Sequence, residues 1–529
     1  MKATYIDYSD TGSFSKTLIA YLAQQPDLAS FYGNFPNMAG FRKQIEAKKK
    51  FSHREVLVEQ LRAQYGDLLK ESPEVAQNLE RLLGANCYTV TTGHQLNIFT
   101  GPLYFIFKIV TAIKLARDLK EAFPEEEFVP VYWMATEDHD FAEINHTRVF
   151  GKKISWDTDG ISGTGRMDTS SMEAVVKQYC NTFGLSDNAS KLTELVHEAY
   201  SKNWNLADAT RVFVNSLFRA YGLVIVDADS PVLKKLFAPI MEQDILTENS
   251  FKAIEATSKS LEELGYAAQV HAREINFFYL TDSFRERIVR TEDGRFEVLH
   301  QDLFFTEEEL RKEMKQHPER FSPNVVMRPL YQEVILPNLA YIGGGAEIVY
   351  WLQLKANFEQ YKTPFPILVP RNSALITEDN IASKIFRLDL TFKSIFKPIQ
   401  TLKNEYVRRQ TKHRLNLQDE WMELNAIFGK IKLRAHKIDP SLGPSTDAVK
   451  ARLKKAIHNL EKKLLKAEKR NHEDALIQIE RLKDKLFPNG GLQERTENFA
   501  VLYLKYGDEL IEELLKNFQP LAFKFSILY

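Results

Sequence analysis

Residues 137–141 read Glu137-Asp138-His139-Asp140-Phe141, directly after the uncharged run FVPVYWMAT at 128–136. Like charges in succession repel, and a buried carboxylate costs several kcal/mol unless it is paired. Either the chain surfaces into water here as a loop, or these groups are held at a site. Asp138, His139 and Asp140 have the chemistry to grip an amine or ammonium and to move its proton. With Glu143 and His146 they could also ligate a metal. Their spacing matches no zinc signature, however, and hard-metal sites draw carboxylates from several segments.

A second candidate is TTGHQLNIFTGPLYFIFK at 91–108. A strand ends, a polar turn follows, and the pattern predicts a helix from about Pro102, with Thr100 or Gly101 as its cap. The start of a helix after the first strand of an open sheet is an anion site, because unpaired N–H groups and the helix dipole face the ligand. Gly93 and Gly101 would let the backbone approach a phosphate, and His94 could donate to it. The stretch is neither a dinucleotide fingerprint nor a P-loop. A capped helix with nothing bound is the alternative.

In YIGGGAEIVYWLQLK at 341–355, Gly343, Gly344 and Gly345 join a short apolar strand to a helix with Glu347 in its first turn. Such a turn suits close ligand approach, or is simply tight. Arg328, before Pro329, could clamp a carboxylate or make a structural ion pair. Arg371 stands at the end of the last predicted strand, on the same rim. No Ser-His-Asp order is visible, and Cys87 reads as a core residue inside an apolar strand.

The elements that would position these groups are strands at 87–92, 128–135, 222–229 and 365–371, separated by helices. Apolar strands of this kind fit a doubly wound parallel sheet, which binds ligands at its carboxyl ends. The expected domains are a helical segment at 1–84 packed on the core and a first core part at 85–265. An inserted antiparallel subdomain follows at 266–330, with a hairpin turning at Glu292-Asp293-Gly294, and the core resumes at 331–377. From 378 to 495 glycine thins out, and a seam of Leu453, Ile457, Leu460, Leu464, Ala467, Asn471, Ala475, Ile479, Leu482 and Leu486 predicts a coiled-coil hairpin with one stutter near Asn471. Residues 439–445 would be its turn, and 496–529 a C-terminal helix returning to the core. Residues 401–490 carry 21 Lys and Arg against 12 Asp and Glu, mixed as on a solvated helical face.

The 529 residues are 44% hydrophobic and 27% charged with a net charge of −1, an ordinary globular balance that gives no global pointer to nucleic acid or membrane. Two cysteines cannot build a disulfide framework or a cysteine-rich zinc site. The first residues lack a signal-peptide pattern, and Lys108 and Lys114 break the longest apolar stretch, which falls short of the ~20 residues of a span. A cytoplasmic protein is expected.

Five stretches in order, GHQ..IFTGPLY..FK, P.YWMATEDHDF.EINH, GGGAEI.YWLQLK, P.PILVPRNSA and LFPNGGLQERTENF, resemble the cysteine ligases of bacillithiol biosynthesis, the BshC family, over nearly the whole chain. The resemblance implies a Rossmann-like doubly wound core with inserted connecting segments, and a C-terminal α-helical coiled coil that dimerises. It implies the last step of bacillithiol synthesis, an amide formed between L-cysteine and glucosaminyl malate. The first stretch also looks loosely like the phosphate-binding turn of nucleotidylyltransferases and class I synthetases, with Thr100-Gly101-Pro102 in place of their paired histidines.

A free carboxylate is a poor electrophile towards an amine, so such a reaction calls for activation, most simply by ATP; magnesium is compatible with that, and no structural zinc is expected. Gly93, Thr100, Gly101, Gly343 and Gly344 are the expected nucleotide or anion binders. His94, Gln95, Asn145, His146, Arg328, Glu347 and Arg371 are the expected substrate contacts, and Asp138, His139 and Asp140 the catalytic set. The expected partners are the two small substrates and a second copy through the coiled coil, with neither membrane nor nucleic acid. A synthetase-like nucleotidyltransferase with a coiled-coil arm, or a non-catalytic scaffold, are the alternatives.

Overall fold

The computed structural model describes residues 1–160, 162–201 and 205–529. Its central sheet has five strands, Cys87–His94 (β1), Glu127–Met134 (β2), Val224–Asp227 (β3), Asn338–Gly343 (β4) and Ile367–Pro370 (β5). They run parallel in the order β5-β4-β1-β2-β3. This is the Rossmann-like doubly wound arrangement, and the direction of winding switches between β1 and β4. β4, not counted among the four predicted strands, is thus beside the first strand at the centre of the sheet.

Both faces of β1 are buried, and its buried threonines are satisfied. Thr89 and Thr91 hydroxyls donate to Asn338 Oδ1 at 3.1 and 2.8 Å, and Thr92 donates to the Ile342 carbonyl at 2.9 Å. The hydroxyls therefore tie β1 to β4 across the switch point. Helix Tyr104–Ala122 (α1) follows β1 and is buried nearly all round, because it packs on both β1 and β2 and against the helix Glu509–Asn517. Helices Pro231–Thr247 (α2), Arg328–Ile335 (α3) and Gly345–Leu352 (α4) flank β3 and β4.

The insertion forms a five-stranded sheet in which Phe277–Leu280 pairs antiparallel with both Arg285–Arg290 and Phe321–Pro323. Its hairpin turns where predicted, with Gly294 at φ +83°. The chain ends differ from the all-helical expectation. Ala3–Asp7 pairs antiparallel with Lys524–Leu528, in register from Ala3 against Leu528 to Asp7 against Lys524.

The structure divides into two units, residues 1–9, 13–375 and 491–528, and residues 10–12, 376–490 and 529. In the second, helices Ile399–Gln410 and Gln418–Ile438 are followed by Leu442–Asn471 and Glu473–Leu486. The predicted stutter at Asn471 is a helix break at His472, and the predicted 439–445 turn is shorter, since the helix already begins at Leu442. Leu402, Val407, Leu476, Ile479 and Leu482 are buried where the first and last of these helices pack, whereas Ile427, Ile431, Leu433 and Leu460 are exposed. No helix among the described residues is long and apolar enough to cross a membrane.

Candidate active site

A cavity of about 720 Å³ opens at the carboxyl ends of the central strands, within the first unit. That is a small-molecule size, and it lies where the winding switches. Gly93, His94 and Gln95 enter from the end of β1, and Asp138 and His139 from the end of β2. Gly344 and Glu347 come from the turn into α4, Arg328 from the start of α3, and Arg371 from just past β5. Eight residues singled out from four separate stretches, with Arg328 as a ninth, thus share one cavity.

The remaining candidates lie outside that lining. Asp140 caps the short helix Phe141–Ile144 and accepts from the Glu143 N–H at 3.3 Å. Asn145 Oδ1 is 3.1 Å from His146 Nδ1, and His146 opens a strand that pairs with Lys152–Ser155. Gly343 ends β4, where its carbonyl accepts the Arg371 N–H at 2.8 Å.

Thr100 and Gly101 do not cap a helix that faces a ligand. α1 starts at Tyr104 without a side-chain cap, and the Leu103 N–H donates to the Glu497 carbonyl at 2.7 Å. Phe99 and Thr100 take positive φ, Phe99 stacks on Tyr179 at 4.1 Å, and Asn498 Nδ2 spans the Phe99 and Gly101 carbonyls at 2.8 and 2.7 Å. Of the stretch expected to bind an anion, 93–102, residues 98–102 form a buried clasp closed by a segment from the far end of the chain, whereas Gly93 and His94 line the cavity.

Lys108 and six arginines line the cavity against three carboxylates, Glu137, Asp138 and Glu347. Lys234 on α2, its side chain fully buried, pairs with Glu137 and with Asp229. Glu347 pairs with Lys108, which also donates to the Gly93 carbonyl at 2.8 Å, and accepts from Tyr341 Oη at 3.0 Å. Asp138 alone of the three has no cation partner of that kind. Its Oδ2 accepts from Gln95 Nε2 at 2.6 Å, and its Oδ1 from the Asp140 N–H at 3.3 Å.

The opposite chemistry is carried by His94 Nε2, Arg328 Nη1 and Arg371 Nε, which are buried without a hydrogen-bond partner. Buried polar atoms in native folds are rarely left so, and here each belongs to a residue lining the cavity. Arg371 is held by Glu494 Oε1 at 2.7 Å and Ser373 Oγ at 3.0 Å, and Arg328 by Tyr350 Oη at 3.3 Å. The site therefore offers a fixed cationic wall for an acid or phosphate and one unpaired carboxylate for an ammonium. Among the described residues no group of three or more His, Cys, Asp or Glu side chains is placed to hold a metal ion.

Lys108, Arg285 and Glu494 carried no assignment from sequence. The clue for Lys108 was a charge inside the apolar first half of its helix. Glu494 lay within a recognised motif but had no chemistry attached to it, and Arg285 gave no signal.

Burial, with the Lys108 and Arg371 cations nearby, holds the His94 imidazole well below its ordinary pKa. The unfolded chain binds that proton near pH 6.5 and the folded one does not. Stability from this group is therefore present above about pH 6.5 and lost as pH falls, by up to about 1.4 kcal/mol per pH unit until the folded ring also protonates. Urea unfolding across this range is expected to show a shallower acid-side slope in His94→Gln than in the parent chain; equal slopes would contradict it.

The model of the N-terminal Rossmann-like domain of bacillithiol biosynthesis BshC matches residues 1–372, and that of the BshC C-terminal coiled-coil domain matches residues 374–529. A Flavobacterium psychrophilum protein named "Putative cysteine ligase BshC" is 42% identical over all of this chain and 99% of its own length. A Flavobacterium johnsoniae protein of the same name is 42% identical over the whole of both chains. A solved Campylobacter jejuni structure described as an arginyl-tRNA synthetase aligns at a TM-score of 0.23 and 12% identity over 84% of this chain and 98% of its own, too little to bear on function.

Proposed function

The chain belongs to the BshC family of bacillithiol biosynthesis, and from that premise we propose that it is a ligase joining L-cysteine to glucosaminyl malate through an amide bond, with ATP as the phosphate donor. One observation carries the reading: a single cavity sets three buried, unpartnered nitrogens, on His94, Arg328 and Arg371, in the same lining as the unpaired carboxylate Asp138. Both substrates bear carboxylates, and glucosaminyl malate brings the glucosamine ammonium that must lose its proton to be acylated.

In this reading Arg328 and Arg371 grip carboxylate or phosphate oxygens by charge-assisted hydrogen bonds. The glycine turn at Gly344 lets backbone approach that anion. Asp138, held by Gln95, takes the glucosamine ammonium of glucosaminyl malate and then its proton, so that the free amine attacks the activated cysteine carbonyl. ATP contributes the leaving group: a cysteine carboxylate oxygen bonds to phosphorus as a P–O bond of ATP breaks, and that oxygen then departs on phosphorus as the new C–N bond forms. A site closed on several sides keeps water from the activated acyl group.

The test is made with purified protein, glucosaminyl malate and L-cysteine labelled with ¹⁸O in its carboxylate. Bacillithiol is expected only with ATP present, with one ¹⁸O recovered in the phosphate-containing product. Product without label on phosphorus would remove the activation step, and no product in the complete mixture would remove the ligase reading.

The same reading makes the chain a homodimer through the hairpin of the second unit. The support is the exposed apolar set there: Ile427 is 50% and Ile431 44% exposed, one helical turn apart. Ile427→Asp with Ile431→Asp is expected to reduce the sedimenting mass from dimer to monomer; an unchanged dimer in analytical ultracentrifugation would refute it.

A further inference from the structure

Arg285 reaches the cavity from the inserted sheet, and it is held by groups other than carboxylates. Its Nε donates to Ser322 Oγ at 3.0 Å and its Nη2 to the Pro323 carbonyl at 3.4 Å. Its guanidinium lies 3.9 Å from the centre of the Phe278 ring. Its Nη1 is 2.6 Å from His139 Nδ1.

A guanidinium has donors only and keeps its proton. His139 Nδ1 must therefore present its lone pair, and the single ring proton sits on Nε2. With Nδ1 spent on Arg285, Nε2 is the nitrogen left for a ligand. We propose that Arg285 is a positioning residue that fixes His139 as a neutral imidazole protonated on Nε2, so that His139 serves this site as a hydrogen-bond donor and not as its base.

The surroundings weigh both ways. Asp138, whose Oδ1 is 3.9 Å from Nδ1, together with Asp140 and Glu286, favours an imidazolium; burial first and the Arg285 charge second oppose it, and the ring's pKa falls below its ordinary value. Phe278 faces the ring at 5.4 Å and adds no charge. In a chain whose catalytic stretch reads Asp-His-Asp, the base is then the carboxylate, and the imidazole N–H is free to stabilise oxygen charge that develops on the acyl or phosphoryl group. The inserted subdomain becomes part of the machinery, because it supplies the group that sets the tautomer.

The role in catalysis rests on the ligase reading, but the tautomer does not. Full-length protein labelled with ¹⁵N-histidine, with the His139 signal assigned through its loss in His139→Gln, is titrated by NMR without substrates. The expected pattern is an Nε2–H ring that stays neutral on the acid side of about pH 6.5, where an ordinary histidine gains its proton. An Nδ1–H tautomer, or protonation near the ordinary value, would overturn the proposal whether or not the chain makes bacillithiol. In Arg285→Gln the His139 titration is expected to return towards the ordinary range. Its kcat/KM should fall, because the ring is no longer held with Nε2–H towards the site, but without a new acid limb, since an imidazolium keeps that donor. Arg285→Lys should recover part of the loss. An acid limb at about pH 6.5 would make His139 the base and overturn the proposal. Folding of the variants is checked by thermal melting, and the wild-type titration decides the matter if Arg285→Gln fails to fold. A His139 titration in Arg285→Gln identical to that of the wild type would overturn the coupling.

Discussion

Glu494→Ala is expected to destabilise the fold by about 3–5 kcal/mol, because it strips the partner from a buried guanidinium. Melting should fall by about 3–6 °C for a cooperative unit of this size. The side chains of Arg371 and Glu494 are 5% and 0% exposed, so water cannot replace what is lost. Glu494 also accepts the Ala374 N–H through its second oxygen at 2.9 Å, and that donor would be orphaned as well. The carboxylate thus does two jobs: it balances a buried charge, and it orients Arg371 so that Nε remains for a ligand.

The double variant Arg371→Met, Glu494→Leu separates the two jobs. Replacing a buried ion pair by apolar side chains of similar volume is often close to neutral, so most of the stability should return. Activity should not return, because the anion has lost a charged hydrogen bond worth about 1.5–3 kcal/mol. That is a loss of roughly 10- to 150-fold in kcat/KM. A Glu494→Ala protein that melts with the parent would show the pair to be dispensable. A double variant with full activity would show that Arg371 holds nothing.

The core strands could be read from sequence because a parallel sheet covered on both faces writes itself as apolar runs. The same rule placed Asp138, Arg371 and the Gly344 turn on one rim, since ligands sit at the carboxyl ends of such strands. β4 escaped notice as a strand of the sheet because Asn338 and Gly343 bracket only four residues, and nothing local announces its central position. The terminal strands escaped because each is defined by the other across the full length of the chain.

The turn at 98–102 was misread for a different reason. Gly101 and Pro102 signal a helix start and a tight turn equally well, and what decides between them is Asn498, 397 positions away in sequence. Glycine at 101 answers to packing as much as to backbone freedom: a Cβ there would come within 2.6 Å of Asn97. Arg285 could not be found at all, for an arginine on an antiparallel strand carries no mark of what its tip will touch. In the hairpin, spacing alone gave a seam, but it could not tell a stutter from the break that His472 makes.

Asp138→Asn is expected to lower kcat/KM by about 10- to 150-fold, while Asp140→Asn, two positions along, should leave turnover within about twofold. The two carboxylates are equivalent in sequence and different in place. Asp140 is exposed and caps a short helix, a task asparagine performs as well as aspartate; its stability change should stay within about ±0.5 kcal/mol. Asp138 lines a cavity in which Glu137 and Glu347 are already tied to Lys234 and Lys108. An ammonium entering among so many fixed cations has one carboxylate left to meet. Asparagine at 138 keeps the shape but loses that charge, and it turns the hydrogen bond from Gln95 into a contact between two neutral amides. The loss should appear mainly in the response to glucosaminyl malate, as a raised KM where Asp138 only binds, and as a lowered kcat where it also takes the proton. Steady-state rates of bacillithiol formation at varied glucosaminyl malate distinguish these cases, with thiol levels in a complemented deletion strain as the check in cells. Equal losses at 138 and 140 would mean that the geometry separating them is not the one used in turnover. Full activity in both would make the acidic stretch at the end of β2 no more than a wet loop.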